Sequence, residues 1–248
     1  MRSYMETGEI EVNVNSICNY KKVLQMNGNE FLKTLSKNAI NVMESFQYIE
    51  SQKPCEVVII NDKYNPAYIN PLEDKNIIAI NPSVLKNNSE YVFLHEYIHC
   101  KQIDLCFPRV MPYSSSEDSV ELCTAINSFV LDLHVNNYLR KFNLHYNENI
   151  PFIQFKTILK LESENGFQNY SLNGIIYFAE KIAMYKTNNL DVNEMLKYAD
   201  LINKKIRKTY QLFIKGYKLY DCNTKQSIYK MFKYLVSNLA ISDIVEIS

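Results

Sequence analysis

The sequence predicts an α+β fold, with a small mixed sheet and backing helix first and a mainly helical subdomain after. Two observations carry this. Before about residue 80, short β-rich runs bounded by turn residues alternate with one long pattern of helical period. After Lys141 almost every stretch repeats its apolar residues at helical spacing. A chain of 248 residues can bury one sizeable core or two small ones. We divide it into an α/β lobe over residues 1–112 and a helical lobe over residues 113–248.

The elements follow in order. Gly8–Val14 alternates like a strand with one wet face. Asn29 and Glu30 open a long amphipathic helix through Leu32, Leu35, Ala39, Val42, Met43, Phe46 and Ile49, ending before Pro54. Glu56–Ile60 reads as the best buried strand, and Asn61-Asp62 with Asn65-Pro66 supplies the turn after it. Ala67–Ile69 is expected to pair beside that strand. Asn76–Ile80 is a short strand stopped at Asn81-Pro82. A helix then begins with Asn87 or Ser89 as cap and Glu90 in its first turn, shows an apolar face of Tyr91, Leu94 and Ile98, and closes before Pro108. Ser114–Asp118 signals another helix start, running to about Lys141. Helices follow from Pro151 through Leu161 and from Leu172 to Ala183, and Asp191–Glu194 has the form of a capping box for a third.

The chemistry concentrates in His95-Glu96-Tyr97-Ile98-His99. On a helix, residues four apart share a face with Cβ atoms roughly 5–6 Å apart, so two imidazoles can converge on one Zn²⁺. Glu96 projects beside them, where a carboxylate can take a proton from a metal-activated water. Zinc needs a third protein ligand, and the next helix offers Glu117, Glu121, Asp132 and His134. His134 lies almost opposite Asp132 on the helix wheel and reads as a partly exposed surface histidine; His145 lies beyond the helix.

This stretch resembles the zincin metallopeptidases, of the small gluzincin-like type, over about residues 54–140. Gln102, three residues after His99, also recurs in some such families. The resemblance implies a zincin-like fold and a zinc-dependent endopeptidase with Glu96 as general base, one that hydrolyses a peptide or protein substrate. It further implies that Asn76–Ile80 is an edge strand along which the substrate lies in extended, antiparallel form. The downstream ligand in zincins is typically an acid followed four residues later by Asp or Asn, which Asp132 and Asn136 match. Asp132 is therefore preferred as third ligand, with Glu121 and then Glu117 as alternatives. Glu121 and Asp132 stand about 16 Å apart along one helix and cannot both bind one ion. Tyr113, Tyr138 and His134 are candidates for a second oxyanion donor. Two rival readings are a catalytically inactive zincin-fold binding module and a helical interaction protein whose motif is accidental.

Composition bounds the partners. Lys and Arg total 27 against 27 Asp and Glu, so no overall field favours nucleic acid or an acidic membrane. The segment from Lys204 to Lys218, with Tyr210, Phe213 and Tyr217 interleaved, reads as a solvated basic face over an aromatic core rather than a nucleic-acid surface. Neither a signal-like apolar run after Met1 nor a membrane-length one elsewhere is visible, so a cytoplasmic protein is expected. The six cysteines lack C-x-x-C spacing, which argues against a structural zinc or disulfide framework. Cys100 and Cys106 flank the motif helix and could capture oxidant, although small core residues is the simpler reading. The oligomeric state is not set by the sequence.

Overall fold

The computed structural model describes residues 28–46, 53–146 and 149–248. The expected strand at Gly8–Val14 and the helical position of Ile49 lie outside the described residues. The architecture is mixed α+β with small sheets, and its contacts gather into two units. One holds the described residues up to Phe107 together with Val135–Tyr146; the other holds Pro108–His134 and Asn147–Ser248.

In the first unit, helix α1 (Gly28–Leu32) and helix α2 (Lys37–Glu44) replace the single long helix expected from periodicity. Competition from side-chain oxygens explains the break. The Thr34 hydroxyl donates to the Phe31 carbonyl, and Ser36 caps α2 by accepting the Ala39 N–H at 3.2 Å. The Ser36 N–H and hydroxyl in turn donate to the Glu90 carboxylate at 2.5 and 2.9 Å, fixing the corner in place.

The sheet contains β1 (Cys55–Ile59), β2 (Ala67–Pro71) and β3 (Asn76–Ile80), in the order β1-β3-β2. β3 pairs parallel with β1, Cys55 opposite Asn76, and antiparallel with β2, Ala67 opposite Ile80. Three expectations are corrected here. β3 is the central strand and not an edge, so both of its hydrogen-bonding rims are filled and no substrate can lie along it. β1 is the partly exposed flank, whereas Ile78, Ala79 and Ile80 of β3 are buried, as a middle strand requires. β2 pairs with β3, not with β1. The turn after β1 forms as expected, with Asp62 Oδ1 accepting the Tyr64 and Asn65 N–H groups.

Pro82 begins a short helix α3 (Pro82–Leu85), and a 3₁₀ turn at Lys86–Asn88 leads into α4 (Ser89–Asp104). Neither Asn87 nor Ser89 caps α4: Asn88 is the N-cap but its side chain makes no capping bond, and the Ser89 hydroxyl turns back to the Lys86 carbonyl. α4 is held by burial instead. Phe93, Leu94, Tyr97 and Ile98 join Phe31, Ala39, Val42, Ile78 and Ile80 in one core, completed by Val135 and Leu139. Its last turn is pinned by a buried ion pair, Lys101 to Asp104 at 3.5 Å. Asp104 also accepts from the Lys53 N–H and the Asn76 side chain.

The second unit opens on strand β4 (Val110–Pro112), which later pairs antiparallel with β5 (Val245–Ile247), and on helix α5 (Glu117–Arg140). Asn127 of α5 grips β4, its side chain accepting the Val110 N–H and donating to the Val110 carbonyl, both at 2.8 Å. The boundary between the units falls inside α5, after His134. Five further helices complete the second unit: α6 (Asn149–Glu164), α7 (Leu172–Thr187), α8 (Asn193–Ile202), α9 (Lys204–Leu219) and α10 (Lys225–Asn238). The capping box expected at Asp191–Glu194 does not form. Val192 is the N-cap of α8, Asp191 accepts the Asn193 N–H, and Glu194 pairs with Lys156 and Tyr198. On α9 the lysines at 204, 205, 208, 215 and 218 are exposed while Ile206, Tyr210, Phe213 and Gly216 are buried, the solvated basic face the sequence suggested. Gly216 is needed for close approach, since a Cβ there would stand 2.6 Å from the Met231 sulfur of α10. Among the described residues no helix is long and apolar enough to cross a membrane.

Candidate metal centre

α4 carries His95 and His99 one turn apart, and the helical period turns both rings to one side. Their centroids are 4.6 Å apart and their Nε2 atoms face each other at 3.0 Å. The His99 Nδ1 lies 2.7 Å from Gln102 Oε1, and Gln102 is almost fully buried. An amide oxygen only accepts, so Nδ1 carries the hydrogen and the His99 Nε2 presents a bare lone pair. At 3.0 Å the two Nε2 atoms can share one hydrogen, and a cation placed beside both could take its place. Tetrahedral zinc with ligands at about 2.0–2.1 Å places its donors about 3.3 Å apart, close to the spacing present.

The third donor comes from α5. His95, His99 and Asp132 each offer one ligand atom, these atoms lie within 4.8 Å of one another, and all three residues are half-buried. Two imidazole nitrogens and a carboxylate oxygen form a donor set suited to zinc, as in catalytic sites that keep a position open. The residues present fit the ion. On α5, Asp132 stands among the buried side chains of Leu131, Leu133, Val135 and Leu139. Glu96, half-buried between the two histidines in sequence, hydrogen-bonds to no described residue, leaving its carboxylate free to handle a proton.

A polar chain backs His95. The Tyr91 ring packs 6.2 Å from the His95 ring, and its hydroxyl donates to Asn136 Oδ1 at 2.5 Å. Asn136 was expected one turn from Asp132 to orient a histidine; its oxygen accepts from Tyr91, and Gln102 bonds to His99.

Other candidates stand elsewhere. Glu117 and Glu121 are exposed on the early turns of α5 and do not enter the histidine–aspartate group. His134 is 7 % exposed, contrary to the surface position expected, because this part of α5 is packed on both sides of the helix wheel. His145 is exposed in the segment after α5, and Tyr113 is 61 % exposed. Tyr138 bonds to Ser45 and stacks near Phe46.

Two residues escaped sequence reasoning. Glu180 of α7 is 1 % exposed, with one oxygen 3.2 Å from Lys181 Nζ and the other buried without a hydrogen-bond partner among the described residues. Burial, opposed by Lys181 and reinforced by the charge of Asp132, pushes the Glu180 carboxyl up to about 7. The Lys181 ammonium is raised against its own burial by Glu180 and Asp132. The available signal was a charged pair interrupting the apolar run Ile175–Ala183.

Compared with known proteins, the chain matches no family model, no curated protein and no solved structure.

Proposed function

We propose that this chain is a zinc-dependent peptidase of zincin-like fold, with His95, His99 and Asp132 as ligands and Glu96 as general base. The observation that carries the reading is the convergence of the two Nε2 atoms and the Asp132 carboxylate, beside a Glu96 that has no hydrogen-bonding partner among the described residues. A zinc ion bound by these residues supplies a Lewis acid and lowers the pKa of a water towards 7. Glu96 accepts the proton of the attacking water and returns it to the leaving amine. Gln102 holds the His99 ring in the tautomer whose Nε2 can ligate, and Tyr91 packs against the His95 ring. The choice of a polypeptide as substrate rests on the resemblance of the His95–His99 motif to zincins.

The test is elemental analysis of the purified chain followed by cleavage assays on an unfolded protein and a mixed peptide library, with and without chelator. One equivalent of zinc and chelator-sensitive cleavage are expected. Zinc without any cleavage would make the chain an inert binding module, and no stoichiometric metal would remove the metal reading altogether.

A further inference from the structure

The chain is neutral as a whole, but its charge is unevenly spread. Residues 204–238 hold eight lysines and Arg207 against the single acid Asp221, which leaves 18 bases against 26 acids in the rest of the chain. On α9 the exposed positions Lys204, Lys208, Gln211, Lys215 and Lys218 recur every three or four residues, forming one stripe roughly 21 Å long. The opposite face is buried through Ile206, Tyr210, Phe213 and Gly216. On α10, Gln226, Lys230 and Lys233 make a second exposed stripe, opposite buried Ile228, Met231, Phe232 and Leu235. The helices touch where Gly216 meets Met231, and Lys218 and Lys230 line one open cavity of about 460 Å³. The two stripes therefore adjoin on the outer side of the hairpin. Leu219 lines the same cavity and is 56 % exposed, and Tyr229 beside Lys230 is 42 % exposed. Among the described residues none of Lys204, Lys205, Lys208, Lys215, Lys218 and Lys230 forms an ion pair.

We propose that this face of the α9–α10 hairpin docks on an anionic lipid bilayer. The chemistry of the stripe favours lipid over nucleic acid. Nucleic-acid readers rely on arginine, whose planar fork grips phosphate and guanine through two bonds, and single-strand platforms need bare aromatic faces. Here the one arginine is held by Asp200, at 2.8 Å from Nε and 2.6 Å from Nη2, and the Tyr229 ring lies under Lys233 Nζ at 5.8 Å. Lysine ammoniums are point charges, which suit a fluid surface whose headgroups move to meet them. Their stems, with Leu219 and Tyr229, settle at headgroup level. Each lysine near such a surface strengthens binding roughly fivefold. The acidic remainder of the chain is repelled by the same surface, so the hairpin is the part that meets it.

The experiment needs neither metal nor peptidase activity, so its failure would leave the metal reading intact. The full chain is sedimented with vesicles of phosphatidylcholine alone and with vesicles in which about one third of the lipid is phosphatidylserine. It should pellet only with the serine-containing vesicles. It should be released as salt rises from about 0.1 to about 1 M, where the Debye length falls from about 10 to about 3 Å. A Lys208→Gln, Lys215→Gln, Lys218→Gln triple variant should bind about 10²-fold more weakly. Lys33→Gln, Lys63→Gln and Lys160→Gln together remove as much charge from exposed positions elsewhere and should leave binding unchanged. Equal losses in the two variants, or equal pelleting with both kinds of vesicle, would overturn the proposal. So would displacement from the vesicles by a single-stranded oligonucleotide at equal phosphate, which would make nucleic acid the better occupant. Leu219→Trp reports independently of the charge variants, because the chain has no tryptophan of its own. Its emission should shift to the blue with serine-containing vesicles, and pelleting without that shift would place the contact elsewhere and overturn the assignment.

Discussion

Replacing Gln102 with Leu removes the oxygen that accepts the His99 Nδ1–H at 2.7 Å while keeping a side chain of similar volume. Gln102 is 1 % exposed, so water cannot take over the bond at low cost. Two consequences add. A buried N–H left without its acceptor costs about 1–3 kcal/mol of stability. His99 can also relieve that cost by moving its hydrogen to Nε2, the atom that must face the metal with a bare lone pair. Loss of such a partner typically weakens metal binding about 10–100-fold, or about 1.4–2.7 kcal/mol of binding free energy. The assay is a competitive titration of zinc against a chromogenic chelator, with circular dichroism to confirm folding. Gln102→Glu is the informative companion, because a carboxylate accepts the same hydrogen more strongly and should hold or tighten the affinity. A folded Gln102→Leu protein with zinc affinity within twofold of the wild type would refute the claim that this bond sets the tautomer.

Three further outcomes are expected. His95→Ala and Asp132→Ala should each weaken zinc binding beyond the roughly 10²-fold seen for a lost supporting partner, while Glu121→Ala, on an exposed early turn of α5, should bind as the wild type does; equal affinities for the two acid variants in the same titration would remove Asp132 from the site. Glu96→Gln should keep one zinc per chain and lose about 10²–10⁴-fold in turnover on any substrate the wild type cleaves, and unchanged kcat would end its role as base. Glu180 has its carboxyl raised from 4.5 to about 7 by burial first, so the stability it contributes is complete below about pH 4.5 and is lost as pH rises through about 7. Against Glu180→Gln, urea melts of the zinc-free wild type should therefore lose up to about 3 kcal/mol across that window, at about 1.4 kcal/mol per unit; parallel curves for the two proteins would show that Glu180 stays ionised.

What was legible follows from which forces act locally. The helix bearing His95 and His99 and the long helix bearing Asp132 were readable because apolar periodicity and early-turn acids act within a few residues of sequence. The break between α1 and α2 was not, because the Ser36 cap is stabilised by Glu90, which lies 54 residues away. Strand order was equally hidden. Asn76–Ile80 reads as a strand in any position, and only pairing on both rims makes it central, a fact that belongs to β1 and β2 together. The same holds for the caps of α4 and α8, where residues with good capping chemistry bond elsewhere because other partners are nearer.

The acid on α5 that converges with the two histidines has a second basis besides the spacing that singled it out. Asp132 was preferred because Asn136 follows it by one turn and was expected to steer a histidine. Its placement is better explained by burial. Glu121 sits where one face of α5 meets water, whereas Asp132 is half-buried with Leu131, Leu133, Val135 and Leu139 buried around it, so an acid there must be satisfied by something specific. Two contacts bear on the histidine rings. His99 is oriented from within its own helix by Gln102, and His95 from its own helix by Tyr91, whose hydroxyl Asn136 accepts. Through that bond Asn136 reaches the His95 ring by way of a tyrosine that periodicity marked only as apolar. A Tyr91→Phe protein separates these views. It keeps the ring beside His95 and deletes the bond to Asn136, so it should lower zinc affinity less than Gln102→Leu does, and an equal or larger loss would place the decisive orientation on Asn136 after all.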